Sequence, residues 1–170
     1  MAIYQEDEYK EVIRRVKQKI AELKIEIGAT LSEEEISRFE KQCHIRLPEA
    51  YRLFLQEVGD GCDDMLDGFQ LNRLSDIEKR NLSSPFLLEE EWIWEADDRP
   101  QSVINEEMET KVYQGELELI DTGCCTSYNL IVTGKCRGEV LMLSRLVDTF
   151  FSRTSWTMLL YAENHSISVA

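Results

Sequence analysis

Gly115-Glu116-Leu117-Glu118-Leu119-Ile120-Asp121-Thr122-Gly123-Cys124-Cys125-Thr126-Ser127-Tyr128-Asn129-Leu130-Ile131-Val132-Thr133-Gly134, running on through Arg137-Gly138-Glu139-Val140, decides the fold. It reads as three strands in succession. Leu117, Leu119 and Ile120 are apolar with Glu116 and Glu118 interleaved, the alternation of a half-buried strand. Leu130-Ile131-Val132 and Val140-Leu141-Met142-Leu143 are short apolar runs rich in β-preferring residues. Gly123 separates the first two strands, and Gly134 and Gly138 bracket a basic turn before the third. Reversals with no helix between strands imply antiparallel pairing.

Working outward, about Gln5 to Gly28 reads as a long amphipathic helix. Its stripe is Tyr9, Val12, Ile13, Val16, Ile20, Leu23 and Ile27, and Gly28 is its stop. Ser32 and Glu35 form a capping box with Leu31 and Ile36 as its staple, opening a helix that buries Ile36, Phe39 and Cys43. Leu47 is held extended by Pro48, which starts a third helix facing the core through Tyr51, Phe54, Leu55 and Val58. Gly61 to Gly68, with Asp60, Asp63, Asp64 and Asp67 in and beside it, reads as a solvated acidic loop.

Phe69, Leu71 and Leu74 suggest a strand, and a second capping box at Ser75-Asp76-Ile77-Glu78 a short helix ending near Asn81. An irregular section follows from Pro85. Trp92 and Trp94 share one face of an extended segment, in or against the core or as interface anchors. Ser102 to Tyr113 reads as a connection with a short strand around Val112. One more strand is expected over Val147 to Phe151. A last helix is expected after Thr154 or Ser155, with Trp156, Leu159 and Leu160 toward the core, then a frayed tail from His165.

The central stretch resembles the sheet signature of the SUKH superfamily: Gly-x-Leu-x-Leu-x-Asp-x-Gly-Cys, then Leu-Ile-Val-Thr-Gly-x-x-x-Gly-Glu-Val. Leu47-Pro48-Glu49-Ala50-Tyr51-Arg52-Leu53-Phe54-Leu55 resembles that family's Leu-Pro-x-x-Tyr-x-x-Phe-Leu helix. Pro85-Phe86-Leu87-Leu88 with Trp92-Ile93-Trp94 resembles its Phe-Pro-Leu…Trp segment. The resemblance spans roughly Leu31 to Tyr161. Cys125 stands where many relatives have a second glycine, and Leu141 where many have tryptophan. The superfamily is named partly for fungal cell-wall-synthesis regulators; its bacterial members are mostly immunity proteins that neutralise toxin domains, often nucleases. The expectation is a single α+β domain over residues 1–170, a twisted, largely antiparallel sheet covered by helices.

Composition narrows the function. The 170 residues carry a net charge of −14, which argues against nucleic acid or an anionic membrane as partner, since both need clustered Lys and Arg. From Glu89 to Asp121 twelve acids face only Arg99 and Lys111. No apolar run approaches a membrane span and the N-terminus lacks the order of a secretory leader, so a cytoplasmic location is expected. Cys43, Cys62, Cys124, Cys125 and Cys136 are odd in number and lack Cys-x-x-Cys spacing; reduced thiols are expected, with no metal and no cofactor.

Catalytic patterns are fragmentary. Asp121-Thr122-Gly123 matches the aspartic-protease triplet, but that chemistry needs two carboxylates and the chain has one copy. Gly134-Lys135 is no P-loop, since Cys136 stands where Ser or Thr should follow the lysine, and no Gly-x-Ser-x-Gly elbow exists. A non-enzymatic role is expected: as the resemblance implies, an immunity-type protein that occludes the cleft of a basic toxin such as a nuclease, or else an intracellular scaffold or regulator. Glu89, Glu90, Glu91, Glu95, Asp97, Asp98, Glu106 and Glu107 are the expected partner-binding acids.

Overall fold

The computed structural model describes residues 6–63, 69–89, 92–93, 98–123, 126–144, 150–154 and 156–157; at 6, 92–93, 150–154 and 156–157 the description is of the backbone. After a 3-10 turn at Glu6–Glu8 come helices α1 (Tyr9–Leu23), α2 (Glu33–Cys43) and α3 (Glu49–Glu57). Helix α4 (Gln101–Glu107) runs into a π-helical turn, Met108–Val112. The strands are β1 (Gln70–Leu71), β2 (Trp92–Ile93), β3 (Glu116–Asp121), β4 (Thr126–Ile131), β5 (Glu139–Ser144), β6 (Phe150–Thr154) and β7 (Trp156–Thr157). They form one sheet in the order β1-β3-β4-β5-β6-β2, with β7 also on β5, and every pairing is antiparallel.

Two cores lie on the two faces of this sheet. Leu117, Leu119, Leu130 and Val140 pack with Val12, Ile13 and Val16 of α1, Ile36 and Phe39 of α2, and Tyr51, Phe54 and Leu55 of α3. A register shift between Glu118 and Ile120 puts Leu119 and Ile120 in that same core, although they are adjacent in sequence. On the opposite face Ile131, Leu141 and Leu143 pack with Phe86, Leu88, Ile104, Val112 and Cys136. The three central strands and the first three helices thus follow the sequence pattern.

Helix α1 is shorter than its apolar stripe. Lys24 turns left-handed at φ 55°, and the Ile25 N–H reaches back to the Ile20 carbonyl, a Schellman-type ending. Ile27 instead bridges Cys62. Gly28 is therefore not the helix stop. A Cβ there would sit 2.2 Å from the Asp60 carbonyl oxygen, and its N–H donates to the Gly61 carbonyl at 2.8 Å, so it permits two backbones to cross in contact. The box around Ser32 forms as expected: its hydroxyl accepts from the Glu35 N–H, and the Glu35 carboxylate accepts from the Ser32 N–H.

Three sequence expectations are corrected. Ser75 opens no helix. Its hydroxyl donates to Asp76 instead of accepting from a helix N-terminus, residues 74–76 form a turn, and the Leu74 N–H is held by the Asp60 carboxylate. Ser102 to Tyr113 holds no strand. Pro100 starts α4, and Ile104, Met108 and Val112, one turn apart, pack in the second core; the interleaved acids mask that period in the sequence. Trp156 lies in β7 rather than a helix, with Thr157 opposite Glu139. The strand expected over Val147 to Phe151 is β6, Phe150–Thr154; Leu159, Leu160, Trp94 and the tail lie outside the described residues.

One joint ties the sheet to the irregular section. The Thr133 hydroxyl donates to the Ser84 carbonyl at 2.6 Å and accepts from the Phe86 N–H at 3.1 Å. Gly115, at φ 65°, donates its N–H to Asn81, and its carbonyl accepts from the Val132 N–H. Gly115, Thr133 and Pro85-Phe86 are thus one structural unit, although about fifty residues separate its parts. A second tie joins sheet to helices, where Arg137 donates to the carbonyls of Arg46 (3.0 Å) and Leu47 (2.7 Å).

Candidate functional site

The alternation of β3 that buries Leu117 and Leu119 turns Glu116 and Glu118 to the opposite face, where the second core covers only part of the sheet. The remainder opens as a groove of about 540 Å³ lined by Asn72, Asp76, Ile77, Glu78, Arg80, Glu109, Tyr113, Glu116, Glu118 and Asn129. Five carboxylates therefore face one guanidinium, and Arg80 lies 3.4 Å from Glu78.

The groove is built firmly. One wall is the 72–80 segment: the Asn72 side chain donates to the Glu118 carbonyl at 3.1 Å and its N–H to the Leu119 carbonyl at 2.8 Å. Asp60 anchors the same wall. It is buried, not solvated as its acidic neighbourhood suggests, and accepts from the Leu74 N–H at 2.8 Å. Asp63 holds Arg73 with a two-point pair at 2.7 and 2.9 Å; Asp64 and Asp67 lie outside the described residues.

Burial raises the Asp60 carboxyl above its ordinary value, against the opposing hydrogen bond from Leu74. The folded state thus holds that proton more tightly than the unfolded chain. The group's stabilisation is full below the unfolded value of 3.8 and is lost as pH rises through the folded one. Asp60→Asn keeps an acceptor without the charge. It should equal or exceed the parent by up to about 1 kcal/mol at pH 8, an advantage that disappears below pH 3.8. Asp60→Leu should lose about 1–3 kcal/mol by orphaning the Leu74 N–H. Denaturant titrations at the two pH values measure both; equal losses for Asn and Leu would show that the acceptor is immaterial.

The floor of the groove holds a polar residue at an apolar depth. Asn129 is only 1% exposed, and its amide N–H donates to Glu116 at 2.7 Å. Its side-chain oxygen is buried without a hydrogen-bond partner, as is the Ser127 hydroxyl two residues earlier. An orphaned buried acceptor costs about 1–3 kcal/mol.

The acids expected to bind a partner are dispersed in role. Glu89 is exposed and pairs with Lys135 at 2.7 Å. Asp98 and Glu106 are exposed. Glu107 is 12% exposed and sits between Arg99, at 2.5 Å, and Lys111, and these partners hold its carboxyl below the usual value. Glu90, Glu91, Glu95 and Asp97 lie outside the described residues. Sequence reasoning missed the groove's Asn72, Asp76, Glu78 and Asn129. The legible signal was Asn129 itself, a polar residue inside the run Tyr128 to Val132.

Asp121 ends β3 and accepts from the Gly123 N–H at 2.8 Å, so the Asp-Thr-Gly triplet shapes a turn. Cys43, Cys62 and Cys136 are buried and not in disulfides. Among the described residues no group of side chains is placed to hold a metal ion, and no helix is long and apolar enough to cross a membrane.

Three helices on one face of an antiparallel sheet, with α4 and the 86–88 segment partly covering the other, define an α+β domain of the SUKH type. The chain belongs to the SMI1 / KNR4 family (SUKH-1), whose model matches residues 30–148. That span takes in α2 to α4 and β1 to β5, leaving α1 outside it. No match was found among curated proteins. The family's proteins are in general non-catalytic and bind other proteins, as immunity proteins or regulators.

Proposed function

We propose that this protein is an immunity-type binding protein that neutralises a basic toxin, a nuclease above all, by occluding its substrate cleft. One observation carries the reading: in a chain of a protein-binding family, acids concentrate on the segment from Glu89 to Glu107 and continue into the groove through Glu109. Nuclease clefts are basic because they bind phosphate, and an acidic surface competes for the same charges. Glu89, Glu90, Glu91, Glu95, Asp97, Asp98 and Glu106 are the steering charges in this reading. Glu107 is taken up by its pairs with Arg99 and Lys111.

Steering acts on association rate, which can approach about 10⁸–10⁹ M⁻¹s⁻¹ at low salt and falls as salt screens it. A toxin domain encoded in the adjacent reading frame would be the first partner to test. Reversing Glu89 and Asp98 together to Lys should slow association with that domain by at least about tenfold at low salt and flatten its salt dependence, with the unfolding midpoint unchanged. Association kinetics across a salt series and growth rescue of toxin-expressing cells measure it. Unchanged association with full rescue would remove these acids from the interface; failure of the parent protein to bind or rescue would overturn the immunity reading.

A further inference from the structure

We infer that the groove is a receptor for an arginine side chain of the protein partner, with the Asn129 side-chain oxygen as the acceptor at its floor. The inference rests on the reading of a basic protein partner and specifies where that partner's side chain enters. Two independent observations meet in the groove. Its lining is strongly anionic, with five carboxylates against Arg80. Its floor holds a side chain 1% exposed whose oxygen has no partner.

The ligand chemistry follows from the spacing. A metal ion would need oxygens converging at roughly 2.0–2.6 Å, and no such group occurs among the described residues. Glu116 and Glu118, two residues apart on one strand face, stand about 7 Å apart along it, which leaves room for a flat cation between them. A guanidinium offers five N–H donors in a planar fork and no acceptor, suiting two carboxylates and an amide oxygen together. A lysine ammonium is a compact point charge that meets fewer of them at once. Arg80 beside Glu78 at the rim shows the same pairing chemistry within the chain itself.

The test uses N-acetyl-arginine amide as probe, followed by ¹H–¹⁵N NMR on the whole protein, with the lysine derivative alongside. The arginine probe should shift the Asn129 side-chain amide and the Glu118 backbone amide saturably and bind more tightly than the lysine probe. Glu118→Gln should weaken it about tenfold, the loss of one charge-assisted hydrogen bond. Asn129→Leu, which removes the orphaned oxygen and leaves Leu130 and Ile131 in place, should keep the fold and abolish the saturable shift at Glu118. Shifts that never saturate, equal binding of the lysine probe, or unaltered binding in both variants would overturn the assignment. No toxin is present in this titration, so it fails or succeeds independently of binding and rescue by the toxin.

Discussion

Gly115→Ala should lower stability by about 4 kcal/mol, the sum of roughly 1–3 kcal/mol for a left-handed backbone and 1–3 kcal/mol for overpacking. The φ of 65° is the first cost. The second is steric: a Cβ at Gly115 would lie 2.5 Å from the Ser84 carbonyl oxygen, 2.7 Å from the Phe86 nitrogen and 2.1 Å from the Thr133 hydroxyl. Two of these three atoms are backbone and cannot rotate away. Relief would require moving Pro85-Phe86 off the sheet, and Phe86 is a member of the second core. Thr133→Val is the companion variant. It keeps the shape but removes the partners of Ser84 and Phe86, and should cost about 1–3 kcal/mol. For a chain of this size the glycine variant should melt roughly 8–16 °C lower. A loss below about 1 kcal/mol in urea titrations would show that the 84–86 segment does not depend on this crossing.

This joint explains why three separated motifs occur together. In sequence, Gly115 reads as the start of a strand, Thr133-Gly134 as a turn, and Pro85-Phe86 as an irregular section. Nothing in their local periodicity says that they touch, because a contact through one hydroxyl and one absent side chain leaves no hydrophobic pattern. The strands and helices were legible for the opposite reason. Leu117, Leu119, Leu130 and Val140 repeat on one face of the sheet, and Ile36, Phe39 and Cys43 on one face of α2. Where charged residues interrupt the period, as in α4, the same reading fails. At Ser75 a sound capping pattern goes unused: its hydroxyl turns to Asp76, and the neighbouring Leu74 N–H is held by Asp60, fourteen residues away.

The site was half visible. The acids of Glu116 and Glu118 are plain in the alternation of β3, but the sequence placed them in a charged segment, not in a groove. Their neighbours Asp76 and Glu78 come from a turn segment that only tertiary folding brings to the strand. Asn129 joins the two views. Among the largest fully buried side chains of β3 and β4 its neighbours are aliphatic, and a stability argument alone would make it leucine. A polar group kept at such depth, with one atom satisfied by Glu116 and the other by nothing, is what a binding floor requires before its ligand arrives.

Arg52→Ala should cost about 3 kcal/mol, near the low end for breaking a buried ion pair. The guanidinium is 8% exposed and bridges two helices: it lies 2.6 Å from Glu40 and 2.5 Å from Glu33 on α2, with Glu49 at 3.9 Å on α3. Glu40, 14% exposed, would keep only the Leu47 N–H at 2.8 Å, leaving a half-satisfied carboxylate against the core. Glu33 is well exposed, so water replaces its partner, which is why the loss stays near the low end. Arg52→Lys should fall between the two, since one ammonium cannot reproduce the fork. The pH dependence is a separate signature. Hydrogen bonding from Arg52 holds the Glu33 carboxyl below its unfolded value of 4.5. Its contribution is therefore present above pH 4.5 and lost as pH falls through the folded value. The gap between parent and Arg52→Ala should be widest near neutrality and narrow below pH 4.5. Denaturant titrations from pH 7 to 3 measure it, and a gap that stays constant would mean that Arg52 stabilises α2 against α3 by packing rather than by charge.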